Sequence, residues 1–120
     1  MAKSILVIDD DEDILSILDI VFVDEGYDVV LLNTGTTADQ VKLIGPDLIL
    51  LDVRIIGFSK TGDEICAEIK RELELTDIPV LLVSGEPDVQ QRALSCGANG
   101  YLNKPFQINK LLEKVKEFIT

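Results

Sequence analysis

At 120 residues the chain is long enough for one hydrophobic core and too short for two, and 47% hydrophobic against 28% charged side chains excludes an intrinsically disordered composition. A formal net charge of −11 repels phosphate backbones and anionic lipid surfaces, which excludes direct nucleic-acid binding as the expected role and favours a metal cation or a basic protein surface as partner. No apolar run reaches the roughly 18 residues of a membrane span, and Met1-Ala2-Lys3-Ser4 leads into a short strand without the long apolar stretch of a signal peptide, so the expectation is a cytoplasmic protein with no membrane association.

The first apolar, β-branched run, Ser4–Asp9, reads as a strand and ends in Asp9-Asp10-Asp11. Asp11, Glu12 and Asp13 then suit a helix N-terminus through capping and the macrodipole. That helix has Ile14, Leu15, Leu18, Val21 and Phe22 at helical spacing, and Gly26 stops it. A second strand, Asp28–Leu32, precedes a helical pattern carried by Ala38, Val41 and Leu43 and closed by Gly45-Pro46. The third strand, Asp47–Leu51, contains Leu48-Ile49-Leu50-Leu51, a nearly continuous apolar run that suits a parallel strand covered on both faces; it delivers Asp52. Thr61-x-x-Glu64 has capping-box spacing and opens a third helix with Ile65, Ile69 and Leu73 inward. The fourth strand, Pro79–Ser84, is followed by Val89, Ala93 and Leu94 at helical spacing and by Gly97. The fifth strand, Gly100–Asn103, runs into Lys104-Pro105, and Ile108, Leu111, Leu112, Val115 and Phe118 mark the last helix.

The alternation is (βα)5, an α/β fold occupying residues 1–120 as one domain, with no linker, repeat or low-complexity segment. Cys66 and Cys96 follow no CxxC or disulfide pattern and read as small buried thiols in a reducing compartment. The chain has no histidine, so carboxylates, hydroxyls, lysine and backbone must carry any chemistry.

In an open parallel sheet, ligands bind beyond the carboxyl ends of the strands. Asp9 and Asp10, Asp52, Ser84 and Lys104 all fall there. Two carboxylates about 4 Å apart repel by roughly 4 kcal/mol at an effective dielectric near 20, so a cation is expected among the three aspartates. A hard divalent ion that keeps some of its waters, Mg²⁺ above all, suits such ligands and can also take phosphate oxygens. Lys104 supplies a second positive charge and Ser84 a hydroxyl donor, a set suited to phosphoryl transfer. Each piece alone has a bland reading: Ser84 as a small strand-end residue, Lys104-Pro105 as a solvated turn. Arriving in order, each at a strand end, they are hard to attribute to chance.

Four motifs carry a family likeness across essentially the whole chain: Ile5-Leu6-Val7-Ile8-Asp9-Asp10, Asp47-Leu48-Ile49-Leu50-Leu51-Asp52, Val80-Leu81-Leu82-Val83-Ser84-Gly85 and Gly100-Tyr101-Leu102-Asn103-Lys104-Pro105-Phe106. The sequence resembles the response-regulator receiver domains, the CheY-like domains of two-component signalling. The resemblance implies a flavodoxin-like, doubly wound sheet of order 2-1-3-4-5, a strand order for which a member of this family is a known example. It implies Asp52 as phosphoacceptor, Asp9, Asp10 and Asp52 as Mg²⁺ ligands with the backbone carbonyl of Arg54, Lys104 and Ser84 as phosphoryl-binding groups, and Ser84 with Tyr101 as the switch pair. A cis peptide at Lys104-Pro105 is expected on the same ground.

The implied phosphodonor is a sensor histidine kinase or histidine phosphotransfer protein. A downstream protein would be met through the face of the fourth helix, fifth strand and fifth helix, including Gln90, Gln91, Asn103, Lys110 and Lys114, on a monomer or weak dimer. No enzyme activity is implied beyond Mg²⁺-dependent self-phosphorylation and autodephosphorylation. Arg54 and Glu86, two residues beyond Asp52 and Ser84, are expected to face each other across the site. The family pattern is broken after Asp52, where the fourth residue is Ile56 instead of the usual proline, glycines stand at Gly57 and Gly62, and the loop is about two residues longer than usual.

Other readings differ in class. A small phosphatase or phosphotransferase with Asp52 as covalent nucleophile would turn over steadily, but Asp52-Val53-Arg54 lacks a second aspartate two residues on. A flavin carrier on this fold would need ring-stacking residues, and only 5% of the chain is aromatic, with no tryptophan. A receiver-like interaction module that takes no phosphate is separated from the main reading only by a phosphorylation assay.

Overall fold

The computed structural model describes residues 2–119. Five parallel strands, β1 (Ser4–Ile8), β2 (Asp28–Leu32), β3 (Leu48–Asp52), β4 (Val80–Ser84) and β5 (Gly100–Asn103), alternate with five helices, α1 (Glu12–Asp24), α2 (Ala38–Ile44), α3 (Gly62–Arg71), α4 (Val89–Cys96) and α5 (Ile108–Phe118). The sheet order is β2-β1-β3-β4-β5, so the chain reverses direction across the sheet between β1 and β3. Among the described residues, no helix is long and apolar enough to cross a membrane.

The continuous apolar strands follow from burial on both faces. Along β1, β3 and β4 alternate side chains enter opposite cores. Ile5, Val7, Leu48, Leu50, Leu81 and Val83 pack with Leu15, Leu18 and Phe22 of α1 and Leu111 and Val115 of α5. Leu6, Ile8, Ile49, Leu51, Val80 and Leu82 pack with Val41, Ile65, Cys66, Ile69 and Ala93 of α2, α3 and α4. Both cysteines are free and buried within this second core.

Helix starts follow the side-chain signals. Asp11 caps α1 by accepting from the backbone N–H groups of Asp13 and Ile14, and Thr61 and Glu64 form a complete capping box at α3. Helix faces depart from expectation in three places. Leu43 and Leu94 are 88% and 76% exposed, because they lie two and one residues from the inward Val41 and Ala93, and at about 100° per residue those offsets turn a side chain away from the sheet. Leu73 is 90% exposed because α3 ends at Arg71, and Leu75 takes the buried place beyond it. The third and fourth strands also begin one residue later than expected, Asp9 lies just past β1, and Asp52 is the last residue of β3.

Candidate functional site

Strand register sets the site. Ile8 is opposite Leu51 and Asp52 opposite Val83, so Asp9, one step past β1, stands beside Asp52. The ladder continues past the strand ends through Asp9 N–H donating to Leu32 O (3.1 Å), Val53 N–H to Val83 O (3.1 Å) and Lys104 N–H to Ser84 O (2.8 Å). These bonds fix the backbone that carries the polar side chains.

Asp9, Asp52 and Ser84 are buried and Asp10 is half-buried. One carboxylate oxygen from each of Asp9, Asp10 and Asp52 lies within 4.8 Å of the others. The Lys104 ammonium donates to Asp9 Oδ2 at 2.8 Å and Asp52 Oδ2 at 3.2 Å. The second Asp9 oxygen accepts from Asp11 N–H at 2.9 Å, and Asp10 Oδ2 accepts from Ile56 N–H at 3.1 Å. The peptide between Lys104 and Pro105 is cis, as expected.

Burial, then the neighbouring Asp9 charge, pushes the Asp52 carboxyl up to about 6 against the opposing pull of Lys104. Burial works against the charged Lys104 amine, but its hydrogen bond to Asp9 and the charges of Asp52 and Asp9 outweigh it and raise its pKa. Three carboxylates against one ammonium leave two negative charges in a shielded site. A dication with a preference for oxygen neutralises them, so the donor set fits Mg²⁺.

Ser84 Oγ accepts from Glu86 N–H at 2.9 Å, which leaves the hydroxyl hydrogen free to donate elsewhere. Leu82 pairs with Tyr101, and the pleat puts Ser84 on the same sheet face as Leu82. Tyr101 is half-buried against the core on that face. Arg54, two residues past β3, forms an ion pair with Glu86, two residues past β4, its own side chain 76% exposed. The structure therefore brings together Asp9, Asp10, Asp52 and Lys104, while Ser84 ends the strand next to β3, Arg54 pairs with Glu86, and Tyr101 on β5 stands opposite Leu82.

Two features were not read from the sequence. Ile17, Ile20 and Val23 of α1 are 51%, 71% and 57% exposed, and Ile14, Ile17, Phe106 and Ile108 line an apolar groove that runs to Lys104 and Pro105. The helical spacing of Ile17, Ile20 and Val23 was a legible signal, masked by the stronger inward face of the same helix. Arg92 of α4 donates to Asp88 at 3.0 Å, a pair at helical spacing, and to Asp63 of α3 at 3.1 Å, a tie between helices that a separation of 29 residues does not announce.

The sequence matches the family described as the response regulator receiver domain over residues 5–116. Among solved structures, chemotaxis protein CheY4 of Vibrio cholerae superposes with a TM-score of 0.88 at 24% identity, over 99% of this chain and 100% of that one. A putative response regulator from Chloroflexus aurantiacus gives 0.86 at 25% identity, over 98% of each chain. The signal receiver domain of a signal transduction histidine kinase from Syntrophus aciditrophicus gives 0.84 at 28% identity, over 98% of this chain and 90% of that one.

Proposed function

The chain belongs to the response-regulator receiver family and is a phosphorylation-dependent signalling switch, and from that premise we propose that Asp52 accepts a phosphoryl group from a phosphohistidine on a sensor kinase or phosphotransfer protein, with Mg²⁺ held by Asp9, Asp10, Asp52 and the Arg54 carbonyl. The observation that carries this is the Lys104 ammonium bridging Asp9 and Asp52 at adjacent strand ends.

An Asp52 carboxylate oxygen attacks phosphorus, the P–N bond to the donor imidazole breaks, and its electron pair leaves with the imidazole nitrogen. With a pKa of about 6, Asp52 is mostly ionised at neutral pH and available as the nucleophile. Mg²⁺, when bound, supplies charge neutralisation for the phosphoryl oxygens. Lys104 exchanges its bond to Asp52 for one to a phosphoryl oxygen, and the Ser84 hydroxyl donates to another. The added charge of about −1.5 to −2 draws Ser84 inward, and Tyr101 follows on the same sheet face. The readout is the surface of α4, β5 and α5, where Gln90, Gln91, Asn103 and Lys110 are exposed and Lys114 is half-buried. The apolar stripe of α1 beside Lys104 supports a protein as phosphodonor, since a small molecule has no use for it.

Incubation with a small phosphodonor and Mg²⁺, read by intact mass, tests the acceptor. The wild type gains one phosphoryl group and Asp52→Asn gains none; uptake by both, or by neither, refutes the assignment.

The Arg54–Glu86 pair lies at the surface, with Arg54 76% exposed and Glu86 half-buried, and contributes only about 0–1 kcal/mol to folding. Its two side chains restrict the approach of water to the acyl phosphate. Changing both to alanine is expected to shorten the phosphorylated lifetime while leaving thermal stability nearly unchanged. Equal dephosphorylation rates in the same Mg²⁺ buffer would show that the pair only decorates the surface.

A further inference from the structure

The loop between β3 and α3 is where this chain departs from the receiver pattern. Phe58 N–H donates to Ile55 O at 3.2 Å and Gly57 has φ +84°, which makes Ile55–Phe58 a type II turn with Ile56 at its second position. The turn is held at two points. Ile55 is 6% exposed in the core beside α3, and the Phe58 ring packs against that core and over Gly35, where a Cβ would overlap the ring. Between those anchors the Ile56 side chain is 85% exposed, so it contributes little packing, yet its backbone N–H is aimed at Asp10 Oδ2, 3.1 Å away. The proline usual at this position has no N–H to give.

We propose that the Ile56 backbone N–H is a positioning group for the divalent cation, holding the Asp10 carboxylate in its ligating orientation, and that Phe58 seated on Gly35 holds the turn that presents it. This rests on the reading of Asp9, Asp10 and Asp52 as the Mg²⁺ ligands. Asp10 is the half-buried member of the three, and its carboxylate otherwise loses rotamer freedom on binding metal. One fixed donor on Oδ2 removes part of that freedom beforehand, and hydrogen bonds to ligating carboxylates commonly account for a tenfold or larger part of metal affinity.

Proline is favoured at the second position of a type II turn, so Ile56→Pro keeps the backbone path, removes the N–H and puts the ring Cδ where the hydrogen stood, so that the Asp10 carboxylate must turn away. Ile56→Ala keeps the N–H and removes only the exposed side chain. Calorimetric titration of the whole chain with MgCl₂ is expected to give wild-type affinity for Ile56→Ala and about tenfold weaker affinity for Ile56→Pro and for Phe58→Ala. Gly35→Ala, which drives a methyl into the Phe58 ring, should weaken binding alone and add nothing in the Phe58→Ala background. In metal-free protein, the Ile56 amide should be slow to exchange with solvent and become fast in Asp10→Ala; this reading needs neither metal nor the proline variant. Wild-type affinity in Ile56→Pro and Phe58→Ala, tighter binding in either, or a fast-exchanging Ile56 amide in the wild type would overturn the inference alone. A wild type that binds no Mg²⁺ would overturn the metal site and this inference with it.

Discussion

Asp52→Asn is expected to stabilise the metal-free protein above about pH 6 while removing its ability to take a phosphoryl group. The Asp52 carboxyl rises from 3.8 to about 6 because the fold buries it and sets it beside Asp9. An acid whose pKa is higher folded than unfolded binds more protons in the native state, so its contribution falls as pH rises from about 4 to 6 and stays lost above that. A shift of about two units corresponds to about 3 kcal/mol, which partial solvation reduces to about 1–2 kcal/mol. Asparagine removes the charge and still offers Lys104 an oxygen. Urea unfolding of both proteins in chelator should therefore show curves that converge near about pH 4 and separate through about pH 6, with the variant the more stable. Saturating Mg²⁺ should stabilise the wild type more than the variant, because a ligand that binds the native state stabilises it by mass action. Parallel curves across that pH range would mean that the buried carboxylate carries no such penalty.

Legibility from the sequence followed the physics of each element. Strands buried on both faces leave runs such as Leu48-Ile49-Leu50-Leu51, which a reader can mark within a residue, and the polar side chains that follow those runs are the site. Thr61 with Glu64, and Asp11 ahead of α1, could be read because a cap is a local interaction. Leu43, Leu73 and Leu94 misled because an apolar side chain at helical spacing says nothing about where a short helix stops or which neighbour faces the sheet. The Ile56 donor to Asp10 could not be read as a contact, because it spans 46 residues and uses backbone; the absence of proline at that position showed only that an N–H was available.

The Lys104 pairing also spans the chain, at separations of 95 and 52 residues, and its removal should have the largest stability effect at the site. Lys104→Met keeps the unbranched stem, one atom shorter, and deletes its charge. Asp9 and Asp52, 3% and 6% exposed, are then left facing each other with no cation between them. Breaking a buried ion pair from one side costs about 3–5 kcal/mol, because the remaining charge stays desolvated; the Lys104 side chain is 21% exposed, which places the expected loss near the lower end, about 3 kcal/mol. The loss comes from repulsion and desolvation of the carboxylates, not from packing, and two consequences separate these causes. Mg²⁺ should recover much of the stability of Lys104→Met, since it supplies the missing positive charge. Asp52→Asn in the Lys104→Met background should stabilise by more than it does in wild type, because there it relieves an uncompensated carboxylate, giving a coupling on the order of 1–3 kcal/mol in a double-mutant cycle. Additive effects together with no recovery by Mg²⁺ would assign the lysine a packing role, and the charge balance drawn for the phosphorylated state would lose its basis.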